Sequence, residues 1–202
     1  MRLTATAFVT IDGIMQSPGA PQEDPSNGFD LGGWLPPYFD DQVGQYMGNV
    51  FGQVDAFLLG RFTYETFAGY WPNITDQANP IAAGLNSLPK YVVTSTLKEL
   101  SWNNSRLITG DIVKEVSELK QQPGRELQIH GSAALINHLT DHGLIDAYRV
   151  LTFPVVLGRG KRLFAEGVTP TAFKLTETQT TGSGVAIHSY ENAGKPTFGS
   201  VL

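Results

Sequence analysis

Two short apolar runs, each followed by a glycine and a helix-like segment, constrain the fold of this chain most strongly. Residues 56–59 read A-F-L-L before Gly60, and residues 127–129 read L-Q-I before His130 and Gly131. Runs of this length are typical of buried strands, and helical apolar spacing follows them, loosely after Gly60 and clearly after Gly131. Because parallel strands need crossover helices between them, the repeated pattern predicts an α/β fold.

The other elements extend this pattern and then change it. Period-2 alternation predicts a first strand over residues 3–11, and helical spacing predicts an amphipathic helix over residues 40–50. Further strands are expected at residues 91–95, 106–109 and 147–153, and a hairpin at residues 173–180 and 185–190. Strand-helix units followed by adjacent strands predict a mixed, mostly parallel sheet flanked by helices, with a C-terminal antiparallel hairpin.

Composition limits the organisation and the partners of the chain. Its 202 residues, 41% of them hydrophobic, suffice for one core, so we expect a single domain. A formal net charge of -5 argues against a nucleic-acid-binding surface. Cysteine is absent, which excludes thiolate chemistry and fits a cytoplasmic location. Because no apolar run approaches the roughly 20 residues of a membrane span, we expect no membrane association.

The two glycine turns are the first candidates for chemistry. At each turn a glycine lies between the end of a strand and the start of a helix, where backbone N–H groups and the helix dipole attract an anion. Arg61 and Thr63 follow Gly60, Ser132 follows Gly131, and the pair Thr94 and Ser95 ends a predicted strand. The pattern predicts phosphate binding, although ordinary turns with capping hydroxyls explain the same residues. The G-x-G-x-x-G and Walker A motifs are missing.

Three other features have both a functional and a structural interpretation. Asp40 and Asp41 begin a predicted helix, where acidic residues interact with the helix dipole more often than they act in catalysis. His138 and His142 have a metal-ligand spacing but no evident third ligand, so we predict no metal. The segment 16–37, rich in proline and glycine, is expected to rim a pocket, where Trp34 and Tyr38 either cover a planar ring or anchor the loop.

Several motifs together resemble one family of enzymes. Residues 60–65, G-R-F-T-Y-E, are similar to the G-R-x-T-x-E turn of dihydrofolate reductases, and Asp12-Gly13 and Gly131-Ser132 match two further segments in order. Residues 154–164, P-V-V-L-G-R-G-K-R-L-F, resemble the P-V-x-L-G-x-G-x-x-L-F pattern of the reductase domain of riboflavin biosynthesis. The resemblance covers residues 1 to about 190.

The resemblance implies a dihydrofolate reductase-like, three-layer fold with an eight-stranded sheet over residues 1–192, followed by a tail at residues 193–202. It implies NADPH as cofactor, bound by Ile11, Gly13, Gly60, Arg61, Thr63, Thr94, Ser95, Gly131, Ser132, Ala133, Leu157 and Gly158. Expected substrate contacts are Trp34, Tyr38, Arg159 and Lys161, and the acidic catalytic candidates are Asp12, Asp40 and Asp41. A homodimer, with contacts near residues 146–157 and 172–190, is also implied.

These inferences lead to one expected function and two alternatives. The expected function is an NADPH-dependent reductase that transfers a hydride to a small nitrogen heterocycle of the aminopyrimidine or pterin type. One alternative is a conventional dihydrofolate reductase, which requires Asp40 or Asp41 in the pocket. The other is a non-catalytic, nucleotide-binding dimer with the same fold.

Overall fold

The computed structural model describes residues 1–76 and 78–201. Its strands are β1 (Arg2–Thr10), β2 (Val54–Gly60), β3 (Lys90–Val93), β4 (Ser105–Ile108), β5 (Glu126–Ile129), β6 (Ala147–Phe153), β7 (Ala172–Thr180) and β8 (Ala186–Gly194). Its α-helices are α1 (Asp41–Phe51), α2 (Arg61–Tyr70), α3 (Pro80–Ser87), α4 (Ile112–Gln121) and α5 (Ala133–Asp141).

All eight strands form one sheet in the order β4-β3-β2-β5-β1-β6-β8-β7. The six strands from β1 to β6 pair in parallel, and β8 pairs antiparallel with both β6 and β7. This arrangement confirms the predicted mixed, mostly parallel sheet with a C-terminal antiparallel hairpin. The sequence did not predict α3, although Asn79 caps this helix and Pro80 occupies its first position.

Helices cover both faces of the sheet and give the fold three layers. On one face α4 and α5 pack through Val116 and Ile136, and on the other α1, α2 and α3 contribute Val43, Tyr64 and Leu85 to a second core. Each buried aliphatic side chain of this kind contributes about 1.5–3 kcal/mol to folding. None of the helices in the described ranges is long and apolar enough to cross a bilayer.

The central strand β1 has two different buried faces. Leu3, Ala5, Ala7 and Val9 point to the α4 and α5 layer, and the threonines that alternate with them are buried on the α1 side. A strand with this alternation would ordinarily have one face in water. Here the polar face is covered by protein instead, so its hydroxyl groups need partners from neighbouring strands.

Candidate active site

Two glycine turns meet at the carboxyl ends of the parallel strands. The turn at Gly60 joins β2 to α2, the turn at Gly131 joins β5 to α5, and the Gly60 N–H donates a hydrogen bond to the Gly131 carbonyl at 3.2 Å. A Cβ atom on Gly60 would lie 2.6 Å from Ser132 Oγ, and one on Gly131 would lie 2.9 Å from Thr63 Oγ1. Each glycine therefore packs against the start of the other turn's helix.

The N-termini of α2 and α5 create a local environment suited to an anion. Ser132 caps α5 by accepting a hydrogen bond from the Leu135 N–H at 3.4 Å, whereas α2 begins after Gly60, which has no side chain that could cap it. Arg61, the first residue of α2, forms an exposed ion pair with Glu65 at 2.8 Å. An exposed pair of this spacing contributes only about 0.3–0.5 kcal/mol, so the guanidinium group can readily exchange its partner for an anion.

A cavity of about 410 Å³ adjoins the two turns. Its lining includes five of the predicted cofactor residues, namely Gly60, Arg61, Thr94, Ser95 and Ser132. The Thr94 hydroxyl accepts hydrogen bonds from the N–H groups of Thr96 and Leu97, each at 3.1 Å, and so shapes the turn after β3. Ser95 is exposed beside it. The structure thus brings residues from three separate turns to one cavity.

Asp12 fastens the segment after β6 to the end of β1. Its carboxylate accepts hydrogen bonds from the Thr10 hydroxyl at 2.5 Å, from the Leu157 N–H at 3.2 Å and from the Gly158 N–H at 2.7 Å. These bonds, with that from Thr10 the strongest, lower the pKa of Asp12. Ile11, a predicted cofactor residue next to Asp12, is 63% exposed, and its N–H donates a hydrogen bond to the Val155 carbonyl at 2.9 Å. The structure gives Asp12 a fastening role between these segments.

The predicted substrate residues hold the long loop of residues 16–37. Trp34 is buried edge-on against Phe153, with ring centroids 5.5 Å apart, and its indole N–H donates to the Gln16 carbonyl at 2.9 Å. The Tyr38 carbonyl accepts a hydrogen bond from the Ser183 hydroxyl at 2.7 Å. The Trp34 contacts involve the aromatic side chain and fit loop anchoring, whereas the Tyr38 hydrogen bond involves only its backbone, and the Tyr38 side chain is partly buried against the same core.

Two cations from the segment after β6 hold the same loop. Lys161 forms an ion pair with the largely buried Asp24 at 2.7 Å, and Arg159 forms an exposed ion pair with Asp30. The Lys161 ammonium also lies 5.9 Å from the ring centroid of Phe62, in the first turn of α2. The loop, the segment after β6 and the start of α2 therefore border one region.

The two acidic residues at α1 have different surroundings. Asp40 caps the helix by accepting a hydrogen bond from the Val43 N–H at 2.9 Å, and its other oxygen accepts from the Ser183 N–H at 2.9 Å. These backbone hydrogen bonds, with that from Val43 the strongest, lower the pKa of Asp40. Asp41 is exposed in the first turn. Both positions suit acidic residues that stabilise a helix start.

A row of buried polar side chains on the α1 side of the sheet was not predicted. Glu126 of β5 pairs with Arg149 of β6 at 2.7 Å and accepts a hydrogen bond from Thr4 at 3.0 Å. Next along β5, Gln128 contacts Thr6 and then His130. The sequence carries a signal for this row, because a polar residue occurs at every second position from residue 126 to 130, but the apolar residues between them also fit a strand buried on both faces.

The histidine pair of α5 has its own structural setting. The rings of His138 and His142 lie 4.7 Å apart between centroids, and His142 Nδ1 lies 2.8 Å from the His138 carbonyl oxygen. His138 also lines the cavity beside the glycine turns. Within residues 1–76 and 78–201, no group of three or more histidine or acidic residues is placed to hold a metal ion.

Comparison with known proteins gives a family match over most of the chain. Residues 2–187 match the family model described as the RibD C-terminal domain. The uncharacterized protein YyaP of Bacillus subtilis (strain 168) is 34% identical over 135 residues, which cover 66% of this chain and 71% of YyaP.

Solved structures share the fold at low sequence identity. A putative riboflavin biosynthesis protein from Shewanella sp. PV-4 superposes with a TM-score of 0.66 at 20% identity, covering 95% of this chain and 99% of that one. A dihydrofolate reductase from Enterococcus faecalis, complexed with NADP(H) and RAB-propyl, superposes with a TM-score of 0.59 at 14% identity, covering 95% and 96%. The chain therefore has the expected dihydrofolate reductase-like fold.

Proposed function

The chain belongs to the RibD C-terminal domain family, and on this premise we propose that it is an NADPH-dependent reductase. The acceptor in this proposal is a small nitrogen heterocycle of the aminopyrimidine or pterin type. Family membership and the fold neighbours support an oxidoreductase of the riboflavin-pathway and dihydrofolate reductase type.

The observation that carries the proposal is the contact between the two glycine turns. A Cβ on either glycine would lie less than 3.0 Å from a hydroxyl oxygen of the other turn, so these turns need residues without side chains. Two helix N-termini side by side, with Arg61 at one of them, supply N–H donors and a cation for a diphosphate. The exposed Ser95 hydroxyl borders the same cavity and supplies a further donor for a ribose phosphate.

The predicted residues Ile11, Gly13, Leu157 and Gly158 would hold the nicotinamide end. When bound, NADPH supplies the hydride. The tie between Asp12 and the Leu157 and Gly158 N–H groups fixes the segment after β6 against Ile11 and Gly13, where a ring would lie. Orientation of this kind and exclusion of water are the main contributions that a protein makes to hydride transfer. Arg159 and Lys161 contribute by holding the loop over this region.

A conventional dihydrofolate reductase is less well supported as an alternative. Such an enzyme needs an acidic side chain in the pocket that assists protonation of the substrate. Both oxygens of Asp40 accept hydrogen bonds from the backbone, and its lowered pKa disfavours the protonated form. We therefore favour an acceptor whose reduction does not depend on this carboxylate.

We also propose that the protein acts as a homodimer through the strands after residue 146. On the α5 side of the sheet, Val150 and Phe173 are only partly buried against the core, and Phe164 is 37% exposed. Leu175 on the edge strand β7 is 48% exposed. Burial of such side chains against a second copy would be favourable. Sedimentation equilibrium measures the mass, and a monomer at micromolar concentration would refute this assembly.

The cofactor proposal is tested by titrating NADPH and NADH and following nicotinamide fluorescence. We expect the wild type to prefer NADPH, and Arg61→Gln to weaken NADPH binding about tenfold because a charge-assisted hydrogen bond is lost. The matched control is Arg106→Gln, which removes an exposed arginine of β4 outside the cavity lining. Absence of NADPH binding to the wild type at millimolar concentration would refute the proposal.

A further inference from the structure

His130 immediately precedes Gly131 in the second glycine turn. One of its ring nitrogens has a hydrogen-bond partner and the other has none within the described chain. Its Nε2 lies 2.6 Å from Gln128 Oε1. The Gln128 amide is oriented by Thr6, because Gln128 Nε2 donates to Thr6 Oγ1 at 3.2 Å. In this orientation the Gln128 oxygen faces the ring, and the neutral tautomer that pairs with it carries its proton on Nε2. Within the described chain, no hydrogen-bond partner contacts Nδ1.

Aromatic side chains from three elements fix the plane of this ring. Phe51 of α1 stacks on it, with 5.1 Å between centroids and 27° between planes. Phe57 of β2 and Phe67 of α2 lie 6.1 and 6.3 Å away between centroids. The imidazole is only partly exposed, between α1 and α2 on the sheet face that carries the buried polar row. Its orientation is therefore set by packing as well as by Gln128.

The ring remains uncharged over the range in which enzymes work. Burial, and secondarily the charge of Arg149, lowers the pKa of His130 to about 3. Arg149 is itself paired with Glu126 at 2.7 Å, and Gln128 and the three phenylalanines, which contact the ring, carry no charge. An uncharged imidazole with its proton on Nε2 offers a lone pair at Nδ1, which accepts a hydrogen bond and cannot donate one.

We propose that His130 is a specificity residue, whose Nδ1 accepts a hydrogen bond from a ring N–H or exocyclic amino group of an uncharged, planar heterocycle bound between α1 and α2. This inference rests on the proposed reductase function and specifies its acceptor. A heterocycle with a carbonyl oxygen facing Nδ1 would bind less tightly, because two hydrogen-bond acceptors would then face each other without a proton between them. A polar group left unpaired in a partly buried site discriminates strongly between related ligands.

The test compares two probes on the cofactor-free and the NADP⁺-saturated protein by calorimetry. One is 5,6-diaminouracil, which has several N–H donors, and the other is 1,3-dimethyluracil, which has none. We expect the wild type to bind the first probe at least tenfold more tightly, consistent with one hydrogen bond. His130→Phe keeps an aromatic ring in the cluster and should abolish the preference. His130→Gln keeps an acceptor and should partly restore it.

Nitrogen-15 NMR of labelled wild-type protein gives an independent measurement that needs no ligand. The His130 spectrum should show a neutral ring protonated on Nε2 from pH 5 to 8, and the Nδ1 signal should shift when 5,6-diaminouracil is added. A proton on Nδ1, an unchanged preference in His130→Phe, or no binding of either probe to the wild type at millimolar concentration would overturn the assignment. Failure of the wild type to bind NADPH would instead reject the proposed function, because the probe preference is also measured without cofactor.

Discussion

Substitution of Gly60 by alanine tests the contact between the two glycine turns. Gly60 has an ordinary φ of -70°, so a side chain causes no backbone strain there. Its Cβ would nevertheless lie 2.6 Å from Ser132 Oγ, 3.1 Å from Ser132 N and 3.2 Å from Ser132 Cβ. Rotation of the hydroxyl relieves only the first of these contacts. The start of α5 must therefore move by a few tenths of an ångström.

The size of the effect follows from overpacking. Insertion of a methyl group into a tightly packed site costs about 1–3 kcal/mol. For a chain of this length the loss lowers Tm by roughly 2–12 °C. The matched control is Gly69→Ala in α2, where the new Cβ would enter open space within the described structure. Alanine is favoured over glycine inside a helix by about 0.5–1 kcal/mol, so this variant should be slightly more stable than the wild type.

Calorimetric unfolding and NADPH titration of both variants provide the measurements. We expect Gly60→Ala to be less stable and to bind NADPH about tenfold more weakly, because N–H groups displaced from a phosphate lose hydrogen bonds. Gly69→Ala should bind like the wild type. If Gly60→Ala matches Gly69→Ala in both stability and affinity, the two turns are not packed as described.

Two further predictions concern a lysine and an aspartate. Burial lowers the pKa of Lys90 from 10.5 to about 8, whereas hydrogen bonds from its ammonium group to the Leu85 and Leu88 carbonyls favour the charged form. Between these pKa values the unfolded chain binds the extra proton, so stability should rise with pH, by about 1–3 kcal/mol. Guanidinium unfolding from pH 7 to 11 should therefore show the wild type gaining stability relative to Lys90→Met, and a constant difference would mean that the pKa of Lys90 is the same in the folded and unfolded states. Asp12→Asn should cost about 1–3 kcal/mol and slow NADPH oxidation, because an amide cannot accept all the bonds that hold Gly158. Asp41→Asn, at an exposed position, should change stability by less than about 1 kcal/mol, and equal stability losses in the two variants would contradict the fastening role of Asp12.

Local sequence patterns were sufficient to predict the sheet. A strand buries alternate residues or a continuous apolar run, and either pattern is visible in the sequence. These patterns occur in β1, before the two glycine turns and in the strands after residue 145. The helix α3 was missed because its eight residues follow a region rich in asparagine and proline, which also has the composition of a loop. Asn79 and Pro80 are start signals for a helix, but both residue types are equally common in turns.

The side-chain arrangement in the candidate site depends on contacts that local patterns do not encode. Lys161 and Asp24 are 137 positions apart in the chain, and only the sheet order brings them together. The sequence allows Asp40 to be either a dipole partner or a catalyst, and its contact with Ser183, 143 positions away, depends on where the β7–β8 hairpin packs. The free nitrogen of His130 could be identified only once the partners of Gln128 were known.

The central position of β1 also has a consequence for how the chain folds during synthesis. β1 is made first but pairs with β5 and β6, and its register joins Leu3 to Leu127 and Ala5 to Tyr148. At typical translation rates, its partners emerge roughly 5–30 s later. Until then β1 has no partner strands, and its apolar side chains Leu3, Ala5, Ala7 and Val9 have no core to pack into. Folding of the central sheet should therefore be late and dominated by non-local contacts, and chains arrested before β5 should be prone to aggregation or chaperone binding.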